Sequence, residues 1–141
     1  MKKLKFGKSY SRSWHSKEYR KPDAHHVLYD IYFDEYPKEL DSVSKCRKLF
    51  EDVLREGDYK ILHVGFHKFK PRGLTGFFLL SESHLSIHTW PEERYIAFDL
   101  FTCGKENDIK KALDQLFREL SRFKVAKIQK KRFKRGYAYD G

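Results

Sequence analysis

Residues 81–92, SESHLSIHTWPE, collect Ser81, Ser83, Ser86, Thr89, His84, His88, Glu82 and Glu92 in one short segment. Hydroxyls, imidazoles and carboxylates are the groups that nucleophilic and acid–base steps use. Spacing alone leaves two readings open. The polar residues could form the wet face of a sheet, with hydrogen-bonded histidines and Trp90-Pro91 closing a strand, or they could be a reactive segment, although no triad or phosphate motif is formed. A metal centre is not expected. His84 and His88 are four apart in a strand-like stretch and so share a face, but no third ligand accompanies them. Cys46 and Cys103 lie far apart and match neither a disulfide framework nor paired zinc ligands, so each is taken as a separate free thiol.

The elements that must carry these groups are short and alternate in type. A chain of 141 residues, 40% hydrophobic and 16% aromatic, has the size of one ordinary domain. Strands are predicted over 27–33, 59–69, 74–80, 84–90, 95–101 and 125–133 from β-branched and aromatic runs. A helix follows the first strand, with Val43, Cys46, Phe50, Val53 and Leu54 at helical spacing, Asp41 or Ser42 as cap and Gly57 as stop. A second opens at Asn107 or Asp108 and carries the stripe Ile109, Ala112, Leu113, Leu116, Phe117 and Leu120. Two helices among six strands with short connections predict an α+β two-layer sandwich, helices packed on one face of a mainly antiparallel sheet.

The net charge of +10 is concentrated at the ends. Residues 1–22 hold eight Lys/Arg against Glu18, and residues 124–135 hold seven against none, whereas 23–123 hold 15 basic and 18 acidic residues. Residues 1–22 are therefore expected to be a basic extension outside the fold, 23–135 one domain and 136–141 a tail. No apolar run of membrane-spanning or signal-peptide length occurs, and a cytoplasmic protein without membrane contact is expected.

The ordered run LTG at 74–76, FFLL at 77–80, ESH at 82–84, IHTWPE at 87–92 and FTCG at 101–104 resembles the processing region of the prokaryotic S-adenosylmethionine decarboxylases, small self-cleaving proenzymes. The likeness extends from about Ala24 to Phe133 and is strongest from Phe66 to Gly104. It implies cleavage between Glu82 and Ser83 into a β chain, 1–82, and an α chain, 83–141, with Ser83 becoming a pyruvoyl group. That group would be the cofactor, forming a Schiff base with the substrate amine and needing no external cofactor. The resemblance further implies that Thr75 supplies a polarising hydroxyl and His88 the base for processing, and that Cys103 donates the proton after decarboxylation. Adenine would stack between Phe69 and His88, and Glu92 would hold the ribose hydroxyls. Thr75 departs from the commoner Ser but keeps the hydroxyl. Cys46, on the apolar side of the first helix, is taken as packing.

The substrate so implied is S-adenosylmethionine, converted to the decarboxylated aminopropyl donor of spermidine and polyamine biosynthesis. Pyruvoyl-dependent arginine or ornithine decarboxylases of the same family share the processing motif, and Phe69 and Glu92 favour the nucleoside. A reading from another class is a non-enzymatic nucleic-acid-binding domain, in which the basic ends and Tyr10, Trp14, Tyr19, Phe133, Tyr137 and Tyr139 meet phosphates and bases. It would require the whole ordered motif to match by accident. The expected assembly, carried over from the family, is a homodimer of processed protomers, with weak polyanion binding by the basic termini as a side activity.

Overall fold

The computed structural model describes residues 23–136. The basic extension expected over 1–22 and the tail after Gly136, with Tyr10, Trp14, Tyr19, Tyr137 and Tyr139, lie outside the described residues. Strand β1 (Ala24–Phe33) leads through a short 3-10 turn, Lys38–Asp41, into α1 (Val43–Glu56). Four strands follow in succession, β2 (Ile61–Lys68), β3 (Leu74–Leu80), β4 (His84–Trp90) and β5 (Tyr95–Thr102), then α2 (Glu106–Leu120) and β6 (Val125–Arg135). They form one six-stranded sheet in the order β2-β3-β4-β5-β1-β6, every neighbouring pair antiparallel. The chain is an α+β two-layer sandwich, as its sequence predicts.

Alternation decides which residues enter the core. Along β4, Leu85, Ile87 and Thr89 are buried under the helices while His84, His88 and Trp90 are exposed and Ser86 is half-buried. On β5, Ile96, Phe98, Leu100 and Thr102 face inward and Tyr95, Ala97, Asp99 and Phe101 outward. From α1, Cys46, Leu49, Phe50, Val53 and Leu54 meet this inner face, and from α2, Ile109, Ala112, Leu113, Leu116 and Leu120 do so. Phe50 lies 5.8 Å from Phe98, which stacks on Tyr29 at 4.9 Å. Burial pushes the Cys46 thiol up to about 12, consistent with a packing role.

Helix ends follow expectation at α1 and depart from it at the start of α2. Ser42 caps α1 as anticipated, its Oγ accepting from Lys45 N–H at 3.4 Å. Helix α2, however, begins at Glu106, with Lys105 at the cap position and no side-chain cap bond. Glu106 and Asp108 in the first turn complement the positive end of the helix dipole instead. Gly57 follows α1 but does not take the left-handed turn, which falls to Asp58 at φ 59°. A Cβ on Gly57 would sit 2.9 Å from the Ala112 Cβ and from the Asp108 carbonyl oxygen, so glycine is required by the close approach of α2.

The Phe50 ring is fully buried between α1 and the sheet, against Phe98. Phe50→Ala should lower unfolding stability by about 3–5 kcal/mol in chemical denaturation, the usual cost of emptying a buried aromatic site.

Candidate active site

The candidate site residues fall in two clusters at opposite ends of β4. The first surrounds the turn between β3 and β4. Leu80 N–H donates to the Ser83 carbonyl at 2.9 Å, closing residues 81–83 into a tight connection. The Ser83 Oγ accepts from Cys103 N–H at 3.2 Å, which brings the two motif residues together from segments twenty positions apart. A cleft of about 280 Å³ opens here, lined by Tyr59, Lys60, Glu82, Ser83, Cys103 and Asp108 among others. Burial raises the Cys103 thiol above its ordinary value, and the Glu82 and Asp23 carboxylates raise it further. Both effects favour the protonated thiol. A larger hollow of about 560 Å³ lies between α2 and β6, lined by Ile109, Phe117, Lys130 and Arg132, and none of the motif residues borders it.

Beside Ser83, side chains of four strands converge. His84 stacks on Phe101 with ring centroids 5.6 Å apart and planes 5° from parallel. His26 Nε2 lies 2.5 Å from Asp99 Oδ2, His84 Nε2 lies 3.4 Å from the same oxygen, and the Ser86 hydroxyl donates to Asp99 Oδ1. Arg135 Nη1 stands 3.1 Å from His26 Nδ1. Because a guanidinium can only donate, Nδ1 accepts and the proton of a neutral ring sits on Nε2, directed at Asp99. Burial would raise the Asp99 carboxyl, but hydrogen bonds from Ser86 and His26 and the neighbouring imidazoles outweigh it and hold the carboxyl below its usual range. The ligand atoms of His26, His84 and Asp99 lie within 4.8 Å of one another, close enough to hold a metal ion. The two partners that His84 lacks in its own segment, His26 and Asp99, thus come from β1 and β5, whereas His88 stands apart.

The second cluster occupies the far end of β4. Thr75 pairs with His88 across β3 and β4, and Thr75 Oγ1 lies 3.2 Å from His88 Nδ1. By register, His67, Thr75 and His88 stand side by side. Phe69 meets the His67 ring edge-on at 4.6 Å, with 47% of its surface exposed. The loop bearing it is tied down by Asp41, whose Oδ1 accepts from Gly73 N–H at 2.9 Å and pairs with Lys68 Nζ at 2.5 Å. Gly73 has φ 102°, a conformation that favours glycine. The aromatic row continues from His88 to Trp90 at 6.1 Å, Tyr95 at a further 5.2 Å and Tyr32 at 4.8 Å beyond that. Glu92 is exposed in the short turn after Trp90.

The structure therefore unites Ser83 with Cys103, and Thr75 with His88, but not the two pairs with each other. His84 and His88 are separated by four residues of strand, about 13 Å at 3.3 Å per residue, beyond the reach of an imidazole side chain. Sequence reasoning missed His26, Asp99 and Arg135. One signal was available: Asp99 is a lone acid in the otherwise apolar stretch YIAFDLF, at the outward parity shared with Phe101.

Comparison with known proteins gives these clusters their context. Residues 25–136 match the family model described as S-adenosylmethionine decarboxylase. The chain belongs to that family. It is 40% identical over 111 residues to the S-adenosylmethionine decarboxylase proenzyme of Persephonella marina, covering 79% of this chain and 80% of the relative. The proenzyme of Pyrococcus abyssi is 36% identical over 104 residues, 74% of this chain and 73% of the relative. Among solved structures, the adenosylmethionine decarboxylase from Aquifex aeolicus superposes with a TM-score of 0.73 at 29% identity, over 86% of this chain and 98% of that one. Within this family member, no helix among the described residues is long and apolar enough to cross a membrane.

The lowered carboxyl of Asp99 contributes stability that is complete above the ordinary carboxylate pKa and lost as pH falls through the folded value. Thermal melting of wild type and Asp99→Asn should therefore differ at neutral pH and converge as the pH is lowered below about 4.

Proposed function

We propose that this chain is a self-cleaving pyruvoyl-dependent decarboxylase acting on S-adenosylmethionine, with Glu82 and Ser83 as the cleaved pair. The observation that carries the reading is the Ser83–Cys103 contact at the mouth of a cleft, within a motif run whose order and spacing follow the family. The Ser83 hydroxyl attacks the Glu82 carbonyl carbon while the peptide C–N bond breaks, giving an ester and a free Ser83 amine. A base then removes the Ser83 α-proton and the ester carboxylate leaves with Glu82, so residues 1–82 separate as the β chain from 83–141. The dehydroalanine left on the α chain tautomerises and takes up water, releasing ammonia and leaving a pyruvoyl cap. That cap supplies a carbonyl able to condense with a substrate amine and to accept the electron pair freed by loss of carbon dioxide.

The roles of the remaining residues follow from what each can do. Cys103, whose protonated form is favoured, donates the proton that completes the decarboxylated product. Thr75 polarises the scissile carbonyl and His88, hydrogen-bonded to it, takes the α-proton. Phe69 and His88 offer faces to adenine, and Glu92 offers acceptors to the ribose hydroxyls. Supplied on one protomer, Thr75 and His88 lie too far from Ser83 to serve it, which supports a homodimer completing each site across a two-fold axis. The uncovered sheet face fits such a partner. Leu28, Phe69, Phe77, Leu79, Trp90 and Phe133 are exposed on it, and two sheets packed face to face lie about 10 Å apart, within side-chain contact. Part of the basic charge on β6 is engaged within the fold, Arg132 with Glu106 at 2.7 Å and Lys124, just before the strand, with Glu35 at 2.7 Å.

Purified protein should run as two fragments on a denaturing gel, and Ser83→Ala should run as one band near 17.0 kDa. Labelled carbon dioxide should be released from S-adenosylmethionine and not from arginine or ornithine. Release from arginine or ornithine alone would overturn the substrate, and an uncleaved wild-type chain would overturn the chemistry. The shared site makes a second prediction. A His88→Ala chain should stay intact when expressed alone but be cleaved when co-expressed with a Ser83→Ala chain that carries an intact His88. Persistence of the intact His88→Ala chain in the mixture would sink the shared-site arrangement.

A further inference from the structure

The proposed cleavage creates a problem that the intact chain does not have. Once the bond between Glu82 and Ser83 is broken, the reactive carbonyl sits on the first residue of a new chain, and a free chain end frays unless something ties it down. Before cleavage, Ser83 is held from both sides by the connection from β3; afterwards only the residue behind it remains covalently attached. That residue is His84. Its side chain is the first one able to fix the position of the reactive group, and although partly exposed on the open face it is held in a built contact. Its ring lies flat on Phe101 at 5.6 Å, and its Nε2 faces Asp99 Oδ2 at 3.4 Å.

The partner carboxylate is itself immobilised. Ser86, two residues along the same strand and on the same face, donates to Asp99 Oδ1, and His26 donates from Nε2 to Oδ2 at 2.5 Å. His26 is held in turn at Nδ1 by Arg135 at 3.1 Å, and the Arg135 guanidinium carbon lies 5.6 Å above the Phe101 ring. Four segments far apart in sequence, at 26, 84–86, 99–101 and 135, thus close on the one side chain that follows the scissile bond. Asp99 is only 21% exposed and His26 only 19%, so neither is a casual surface contact. Nothing in the proposed chemistry of cleavage or decarboxylation uses either residue.

We infer that the Arg135–His26–Asp99 chain, acting through His84, is an anchor that holds the pyruvoyl-bearing end of the α chain in place after cleavage. Asp99 and His26 are positioning residues. The inference rests on the self-cleaving reading above and assigns these residues to turnover and not to processing. Cleavage begins with an attack by Ser83 on its own preceding carbonyl, while the chain is still continuous and the turn is held by the Leu80 to Ser83 bond. Turnover requires the freed carbonyl to stay aligned with Cys103 and the substrate through every cycle, and displacement of a reacting group by about 1 Å can cost up to 100-fold in rate.

The test uses the full-length chain carrying Asp99→Ala, Asp99→Asn, His26→Gln, His84→Phe or His84→Ala. Cleavage is scored by denaturing gel, pyruvoyl content by the mass of the α chain, and carbon dioxide release from S-adenosylmethionine is expressed per pyruvoyl. Asp99→Ala and His26→Gln should be cleaved to completion, with kcat per pyruvoyl lowered about tenfold or more and KM changed less than about threefold, a displaced carbonyl slowing turnover more than binding. His84→Phe, which keeps the stack on Phe101, should retain more activity than His84→Ala, and Asp99→Asn more than Asp99→Ala. Hydrogen exchange over residues 84–86 of the processed protein should be faster in Asp99→Ala than in wild type. Unchanged kcat per pyruvoyl in cleaved Asp99→Ala would overturn the anchor while leaving the parent reading intact. Accumulation of uncleaved chain with normal kcat per pyruvoyl would also overturn it, by moving the cluster to processing or folding. An uncleaved wild type would bring down the parent reading and the anchor together.

Discussion

The register of β4 between β3 and β5 is the constraint on which the chemistry of this protein depends. Leu79 faces His84 and Thr75 faces His88 on one side, while His84 faces Phe101 and Ser86 faces Asp99 on the other. Side chains alternate strictly across a strand, so a slip of one residue would turn His84, Ser86 and His88 into the core and Leu85, Ile87 and Thr89 out of it. The buried leucine and isoleucine make that slip costly. The same alternation that fills the core therefore aims the imidazoles and hydroxyls at the open face, and Thr89 ties the strand further by accepting Leu74 N–H at 2.8 Å.

The layers divide labour accordingly. Helices α1 and α2 cover one face and use their apolar stripes to hold the sheet, and their tight approach at Gly57 leaves little freedom there. The other face is left with large apolar and aromatic groups exposed among titratable ones, an arrangement that a soluble monomer rarely keeps over so broad an area. Polar groups on this face are paired with one another across strands: Asp99 with His26, His84 and Ser86, and Asp30 with the Tyr95 hydroxyl. Burial and the Asp30 carboxylate both push the Tyr95 hydroxyl up, so it remains a donor. A face so arranged can be covered by a second sheet without stranding these groups.

Much of this was legible in the chain. The strand and helix periods come from local alternation and are found within a few residues of their expected places, because each element buries a face that its own pattern defines. The misjudged start of α2 has a physical reason. Asn107 and Asp108 look like caps, but the helix starts at Glu106, where acidic side chains can meet the dipole. Gly57 stops α1 as its place in the sequence predicts, and the close packing of α2 is what requires a glycine there. His26 was invisible as a site residue, since a histidine in an aromatic strand has no partner until β5 is laid beside β1.

By itself, the sequence determined the layered α+β architecture, the identity of the motif segment and the nearness of Glu82 and Ser83, because these depend on local period and covalent order. Only the tertiary structure decided which groups meet. It joined Ser83 to Cys103, Thr75 to His88 and His84 to Asp99 and His26, and it held His84 and His88 about 13 Å apart along β4, a spacing set by strand rise. Register between strands is set by the whole core at once, and no short stretch of the chain carries that information.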